Sequence, residues 1–178
     1  MTYTSMLSTW AAYTSGANDE MTRILATLPP ERLFEAVPSY FKNLAGLIDH
    51  GIRGSVFWLK RISDGALMPD WLPSHLADFP LPPQGELGFA DLEGFAGTRR
   101  RLDACFVELC ARGDDAAFSG TFSFLGRDKA ERTMEFGAAI LTALNHETHH
   151  RGGVATILDG WGIENDWSGL MPYVLAKK

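Results

Sequence analysis

The sequence predicts an all-α protein, a four-helix bundle with a long crossover between helices 2 and 3 and a short hairpin before helix 4. Three observations lead to this fold class. Four long segments carry apolar residues at steps of three and four, the pattern of amphipathic helices. A proline-rich stretch separates the second segment from the third, and helices do not continue through such stretches. A run of alternating residues precedes the fourth segment, as expected for strands.

The first two predicted helices are bounded by ordinary stop and start signals. The first covers residues 5–28 and ends before a pair of prolines. The second follows Pro38, with Ser39 as its expected N-cap, and ends near Gly65.

A connection and then a third helix follow the second helix in the sequence. Residues 66–88 contain five prolines, so they predict a long connection that crosses the bundle. The third helix is expected over residues 89–111, with Phe95, Leu102 and Phe106 facing inward, and Gly113 ends it.

The last third of the chain begins with a change of periodicity. The segment 117–135 includes FSGTFSF and a turn signal at Gly126, which predicts a hairpin or an ordered loop. The fourth helix is expected over residues 136–159, with Gly160 as its stop, and the aromatic tail is expected to pack across the end of the bundle.

Length and charge limit the classes of function. The 178 residues fit a single domain, and 46% hydrophobic and 21% charged residues are typical of a globular protein. The net charge of −6 disfavours nucleic acid and anionic membranes as partners. The basic run at residues 99–101 is interpreted as a solvated helix face flanked by acids.

Cysteine content and the terminal segments indicate the compartment. Cys105 and Cys110 lie five residues apart in a predicted helix and point to different sides, so no disulfide is expected. No secretory signal and no run of about 20 apolar residues is recognised. The expected location is therefore the cytoplasm.

The chemistry of the chain is concentrated in NHETHHRGG, residues 145–153 of the fourth helix. On a helical wheel His150 falls in the middle of the apolar stripe, His146 about 40° from it and His149 about 100° away, toward water. Side chains at i and i+4 are neighbours on one face, so His146 and His150 can converge on one metal ion.

Alternatives to this interpretation remain at this point. One histidine could be a hydrogen-bonded core residue and the other a surface residue. The run also satisfies HExxH, so a metalloprotease with Glu147 as general base must be considered. A third ligand could come from His50, in the second helix, or from His75, in the proline-rich connection.

These residues resemble the DinB-like (YfiT-type) metalloenzymes. The resemblance covers most of the chain and is carried by HETHHRGG before an aliphatic helix end and by the lone His50 in LIDHGIRGSVFWL. It implies an up-down-down-up four-helix bundle and a divalent metal held by His50, His146 and His150. Gly153 stands where the family commonly has Gln, which leaves the implied ligand set intact.

The resemblance implies a metal-dependent enzyme that activates a low-molecular-weight thiol for transfer to a small electrophilic substrate. Zinc or nickel is the expected metal, with iron as an alternative. Two other functions are carried forward: a hydrolase that uses a metal-bound water, and a non-catalytic ligand-binding or stress protein with a vestigial site. Glu147 is interpreted as a surface acid rather than a partner of a ligand, and exposed helix faces could allow a homodimer.

Overall fold

Most of the chain is helical, with one small two-stranded sheet. The computed structural model describes residues 2–63, 79, 82–83, 85–126 and 128–175. Four long helices run over Tyr3–Leu25 (α1), Leu44–Ser63 (α2), Leu92–Arg112 (α3) and Phe136–Gly160 (α4). Shorter helices cover Pro30–Phe34, a 3₁₀ helix, and Asp115–Ser119 and Met171–Leu175. The predicted all-α class is confirmed at this level.

The long helices pack through their apolar faces. α1 contacts α3 and α4, and α2 contacts α4 and, less extensively, α3. Leucine, isoleucine, valine and phenylalanine side chains dominate the buried set, among them Leu7, Leu44, Val56, Leu102 and Ile140. Fully burying one such side chain contributes about 1.5–3 kcal/mol to the stability of the fold. The apolar faces of the helices therefore hold α2 and α4 side by side.

The starts of α1 and α3 are set by side-chain caps. Thr2 accepts a hydrogen bond from the Ser5 amide in α1, and Asp91 accepts one from the Gly94 amide in α3. Such caps satisfy backbone amides that have no partner within the helix. The third helix therefore begins three residues later than predicted.

The start of α2 differs from the prediction. Ser39 is not its N-cap, since residues 37–43 form tight turns instead of helix. The Asn43 side chain accepts a hydrogen bond from the Gly46 amide at 2.8 Å and takes the capping role. α1 likewise ends at Leu25, before the predicted end at residue 28, because the prolines that follow start a 3₁₀ helix.

The predicted hairpin before the fourth long helix is confirmed. Strand β1, Thr121–Leu125, pairs antiparallel with strand β2, Glu131–Glu135. Phe122 points into the core and packs edge-on against Phe136, the first residue of α4. The aromatic tail also packs as expected onto the helices, with the Tyr173 ring 5.8 Å from that of Tyr13 in α1.

The predicted crossover, residues 66–88, lies mostly outside the described residues, and His75 lies outside them too. The described part is not helical and is tied to α2. Arg53 donates to the Pro82 carbonyl at 2.9 Å, and Asp49 accepts from the Gly88 amide at 2.6 Å. No helix in the described part of the chain is both long and apolar enough to cross a membrane.

Candidate metal centre

His50, His146 and His150 come together between α2 and α4. One ring nitrogen from each histidine lies within 4.8 Å of one ring nitrogen from each of the other two. The Nε2 atom of His146 is 3.3 Å from that of His50 and 3.1 Å from that of His150. Two nitrogens bound at 2.0–2.1 Å to one tetrahedral ion stand about 3.3 Å apart. The three side chains could therefore hold a metal ion with little rearrangement.

Hydrogen bonding alone accounts poorly for this arrangement. A neutral imidazole nitrogen carries either one proton or one lone pair, whereas His146 Nε2 faces two other Nε2 atoms. The opposite nitrogen of the ring, Nδ1, is buried and has no hydrogen-bond partner among the described residues. This burial is costly in either tautomer, so a favourable interaction at Nε2 is needed, and a metal would provide it.

The protonation state of the rings also fits metal binding. Burial, together with the neighbouring histidines, lowers the pKa of His150 to about 3. Burial lowers the pKa of His146 as well, and the adjacent Glu147 carboxylate only partly opposes this. Both imidazoles are therefore neutral near pH 7, the state in which histidine binds metals.

His149 was predicted to face water, and the structure places it there. Its side chain is exposed and its ring packs edge-on against His150 at 4.9 Å. The helical phase therefore separated the convergent pair, His146 and His150, from their neighbour, as the wheel predicted.

Glycine 54 makes room for the ring of His146. A Cβ atom at this position would lie 2.3 Å from His146 Cε1 and 2.6 Å from Nδ1. Gly153 plays a similar part between the helices, because a Cβ there would lie 3.2 Å from a methyl group of Leu47. A larger residue such as Gln at position 153 would have to displace Leu47. The departure from the family pattern thus alters the contact between α4 and α2 and leaves the histidines in place.

Gly54→Ala is expected to weaken metal binding by at least about 10-fold, because the added methyl group must push the His146 ring away from the other two. The helix itself should not suffer, since alanine is favoured over glycine in a helix by about 1 kcal/mol. Calorimetric titration with Zn²⁺ measures the affinity, and circular dichroism checks the fold.

The matched control is Gly152→Ala, another helical glycine whose added Cβ would meet nothing within 4 Å. This variant should bind Zn²⁺ as the wild type does. An unchanged affinity in Gly54→Ala would show that His146 does not bind the metal.

Glu147 is not the surface acid that the sequence suggested. Its side chain is buried, at 4% exposure, and accepts a 2.6 Å hydrogen bond from the Ser55 hydroxyl. It also pairs with Arg99 Nη1 at 3.1 Å. The carboxylate is therefore held inside the protein by two partners, which argues against the role of a free general base in an HExxH protease.

Arg99 departs from a second prediction, that the basic run at residues 99–101 is a solvated face, which holds for Arg100 and Arg101. The Arg99 guanidinium is 2% exposed. Nη2 lies 2.8 Å from a carboxylate oxygen of Asp103 and forms a buried ion pair with it, whereas Nε has no hydrogen-bond partner among the described residues. The phase of α3 was the signal for burial, because Arg99 follows Phe95 by one helical turn.

The network of buried polar residues also includes a residue of α1 and a second residue of α4. The Asn18 side chain donates to both carboxylate oxygens of Asp103 at 3.0 Å, and Arg151 donates to the side-chain amide oxygen of Asn18 at 3.0 Å. The network thus includes side chains from all four long helices. Glu147 follows His146 and Arg151 follows His150, so the network fixes the rotation of α4 and with it the direction of the histidine pair.

Asp103 makes the stability of this network depend on pH. Burial raises the pKa of its carboxyl to about 6, while Arg99 opposes the rise and Glu147 adds to it. Since the folded protein holds this proton more tightly than the unfolded chain, the stabilisation is complete below about pH 4 and is lost as the pH rises through 6.

The wild type and Asp103→Asn differ in their free energy of unfolding. We expect this difference, wild type minus variant, to fall by roughly 1–3 kcal/mol between pH 4 and pH 7. Urea denaturation of both proteins at several pH values measures the difference. A difference that stays level or grows with pH would contradict the raised pKa.

Neither cysteine can serve as a nucleophile at this site. Both thiols are free and buried. The sequence predicted that these two cysteines form no disulfide. Burial raises the pKa of Cys110 to about 12 and that of Cys105 above its usual value. Reactive cysteines have lowered pKa values, so neither thiol has the character of a nucleophile.

A large cavity among the described residues lies away from the histidines. It has a volume of about 720 Å³ and is bounded by the end of α1, the 3₁₀ helix and the start of α3. A cavity of about 10 Å³ adjoins the inner side of His150, beneath Leu47, Gly51 and Arg151. The histidine cluster is therefore the candidate site because its side chains can bind a metal, and not because of the size of the cavity beside it.

Three convergent histidines on a mostly helical framework define a candidate metalloprotein. The family model of the DinB superfamily matches residues 13–154, which include all three histidines. The chain belongs to the DinB superfamily, and the resemblance seen in the sequence is confirmed. No curated protein matches the chain at a significant level.

Proposed function

We propose that this protein is a metal-dependent enzyme in which His50, His146 and His150 bind one divalent ion. Zinc or nickel is the expected metal, and iron is the alternative. The observation that carries the proposal is the convergence of three Nε2 atoms at distances suited to one ion. In the described part of the chain, this cluster of potential ligands contains no carboxylate. Three protein ligands leave a coordination position for a further group, as in catalytic rather than structural sites.

A small thiol is the nucleophile that these surroundings favour. A bound divalent ion would supply Lewis acidity that lowers the pKa of a group in the remaining position. Glu147 offers little help with proton removal from water, because it is paired with Arg99 and Ser55. A thiol has a pKa near 8.5 and water one near 15.7, so a thiol needs far less assistance. Transfer of a thiol to an electrophile is therefore preferred over hydrolysis.

We also propose that α1 to α4 form a four-helix bundle with a crossover between α2 and α3. The contacts of α1 with α3 and α4, and of α2 with α4, support this arrangement. The bundle would hold the ligand-bearing faces of α2 and α4 at a fixed separation, which a three-ligand site requires.

The test of the function is turnover by the metal-loaded protein. A panel of small thiols is mixed with a chromogenic electrophile, and product formation is followed for protein loaded with zinc, nickel or iron. Turnover with at least one thiol is expected to disappear after chelation and in His150→Ala, and to persist in His149→Ala. Turnover that survives complete metal removal would overturn the proposal.

A further inference from the structure

The segment between the 3₁₀ helix and α2 has a defined conformation beside the histidines. The Val37 amide donates to the Lys42 carbonyl at 2.8 Å, and the Lys42 amide donates to the Ser39 carbonyl at 3.0 Å. Lys42 adopts a left-handed conformation with φ of 67°, which is uncommon for a residue with a side chain. A Cβ at Gly46 would lie 2.7 Å from the Phe41 carbonyl oxygen. The absence of a side chain at Gly46 therefore allows Phe41 to approach α2 closely.

The Phe41 ring lies against two of the three histidines. Its centroid is 4.9 Å from the His50 ring and 5.4 Å from the His150 ring, edge-on to the latter. Tyr40 continues this surface outward, with its ring 5.2 Å from Phe41 and 88% of its area exposed. The two rings form a continuous aromatic surface from the histidines to solvent, which we call the aromatic wall.

A ligand larger than water has no room on the inner side of the site. The cavity there has a volume of about 10 Å³, close to the minimum for one water molecule. The ring of His146 is backed by Gly54, and Glu147 is buried. Solvent is instead reached beside Tyr40 and His149, both of which are exposed. Among the described residues, the aromatic wall therefore borders the side on which an external ligand can reach the histidines.

We propose that the aromatic wall, Tyr40 and Phe41, determines specificity by selecting thiols that carry an aromatic ring near the sulfur. The inference rests on the proposed metal function and names the substrate class for the same site. A ring attached one carbon from the sulfur would reach Phe41 when the sulfur lies near the three Nε2 atoms. Offset or edge-on contact between aromatic rings favours such a ligand beyond its apolar area alone.

The experiment uses the full chain loaded with Co²⁺, whose visible spectrum reports on a bound thiol. Dissociation constants are measured for phenylmethanethiol and for cyclohexylmethanethiol, which is similar in size but has no aromatic face. The wild type is expected to prefer phenylmethanethiol by about 3- to 10-fold. In Phe41→Leu, which keeps an apolar side chain, the preference should fall to about 1.

The matched control is Phe34→Leu, because Phe34 is an exposed phenylalanine of the preceding 3₁₀ helix. It should retain the wild-type preference. A preference that is unchanged in Phe41→Leu would overturn the role of the aromatic wall, as would a loss of Co²⁺ affinity with the preference intact. Wild-type protein that takes up no Co²⁺ would instead overturn the proposed metal function itself.

Discussion

His150→Ala is expected to lower the affinity for Zn²⁺ by more than about 100-fold, since loss of a partner of a ligand already costs 10- to 100-fold. His50→Ala should have an effect of similar size. The reason is geometric: each removes one of three ring nitrogens that lie within 4.8 Å of one another. Metal content after native purification and calorimetric titration of the apoprotein measure the loss.

His149→Ala is the matched control, because this histidine is adjacent to His150 on the same helix but exposed. Its metal content should equal that of the wild type. Stoichiometric metal in both His50→Ala and His150→Ala would show that the ligand assignment is wrong.

Arg99→Met is expected to destabilise the protein by about 3–5 kcal/mol, because it leaves two buried carboxylates without their counter-ion. Asp103 and Glu147 both depend on this guanidinium, at 2.8 and 3.1 Å. For a chain of this size the loss corresponds to a fall in melting temperature on the order of 10 °C. Thermal and urea denaturation measure it.

Arg100→Met provides the comparison, since Arg100 is the exposed neighbour in the same helix. It should change stability by less than about 0.5 kcal/mol. Adding Asp103→Asn to Arg99→Met should restore part of the lost stability, because it removes one unpaired buried charge. Equal stabilities of Arg99→Met and Arg100→Met would show that the buried charge network does not support the fold.

The positions of the long helices could be read from apolar periodicity, but their ends could not always be. Leucines of α1 and α2 repeat at helical spacing and are buried, as predicted. The start of α2 was missed because Ser39 and Asn43 are both good capping residues. The choice between them depends on where Phe41 packs, which is a tertiary contact.

The functional site could be predicted in part. The phase of α4 separated His146 and His150 from His149 because all three lie on one continuous helix. His50 lies on another helix, and its selection over His75 rested on the family resemblance. Gly54 lies one turn after His50 on the same helix, but its contact with the His146 ring depends on the distance between α2 and α4.

The buried charges show the limit of reasoning from local pattern. The run at residues 99–101 and the acid at 147 were both interpreted as solvated, since isolated charges are rarely buried. Arg99 and Glu147 are buried because each supplies the counter-charge of the other across two helices, with Asp103 and Ser55 completing the set. No single segment contains that information.

For the three histidines too, local pattern and tertiary packing each determine a different part of the site. The sequence by itself determined that His146 and His150 share a buried helical face, because the spacing of a helix is a local property of the backbone. The tertiary structure alone decided how closely His50 approaches them, that Phe41 lies against two of the rings, and that Glu147 turns inward to Arg99. These relations depend on how closely helices approach, and packing between distant segments sets that distance.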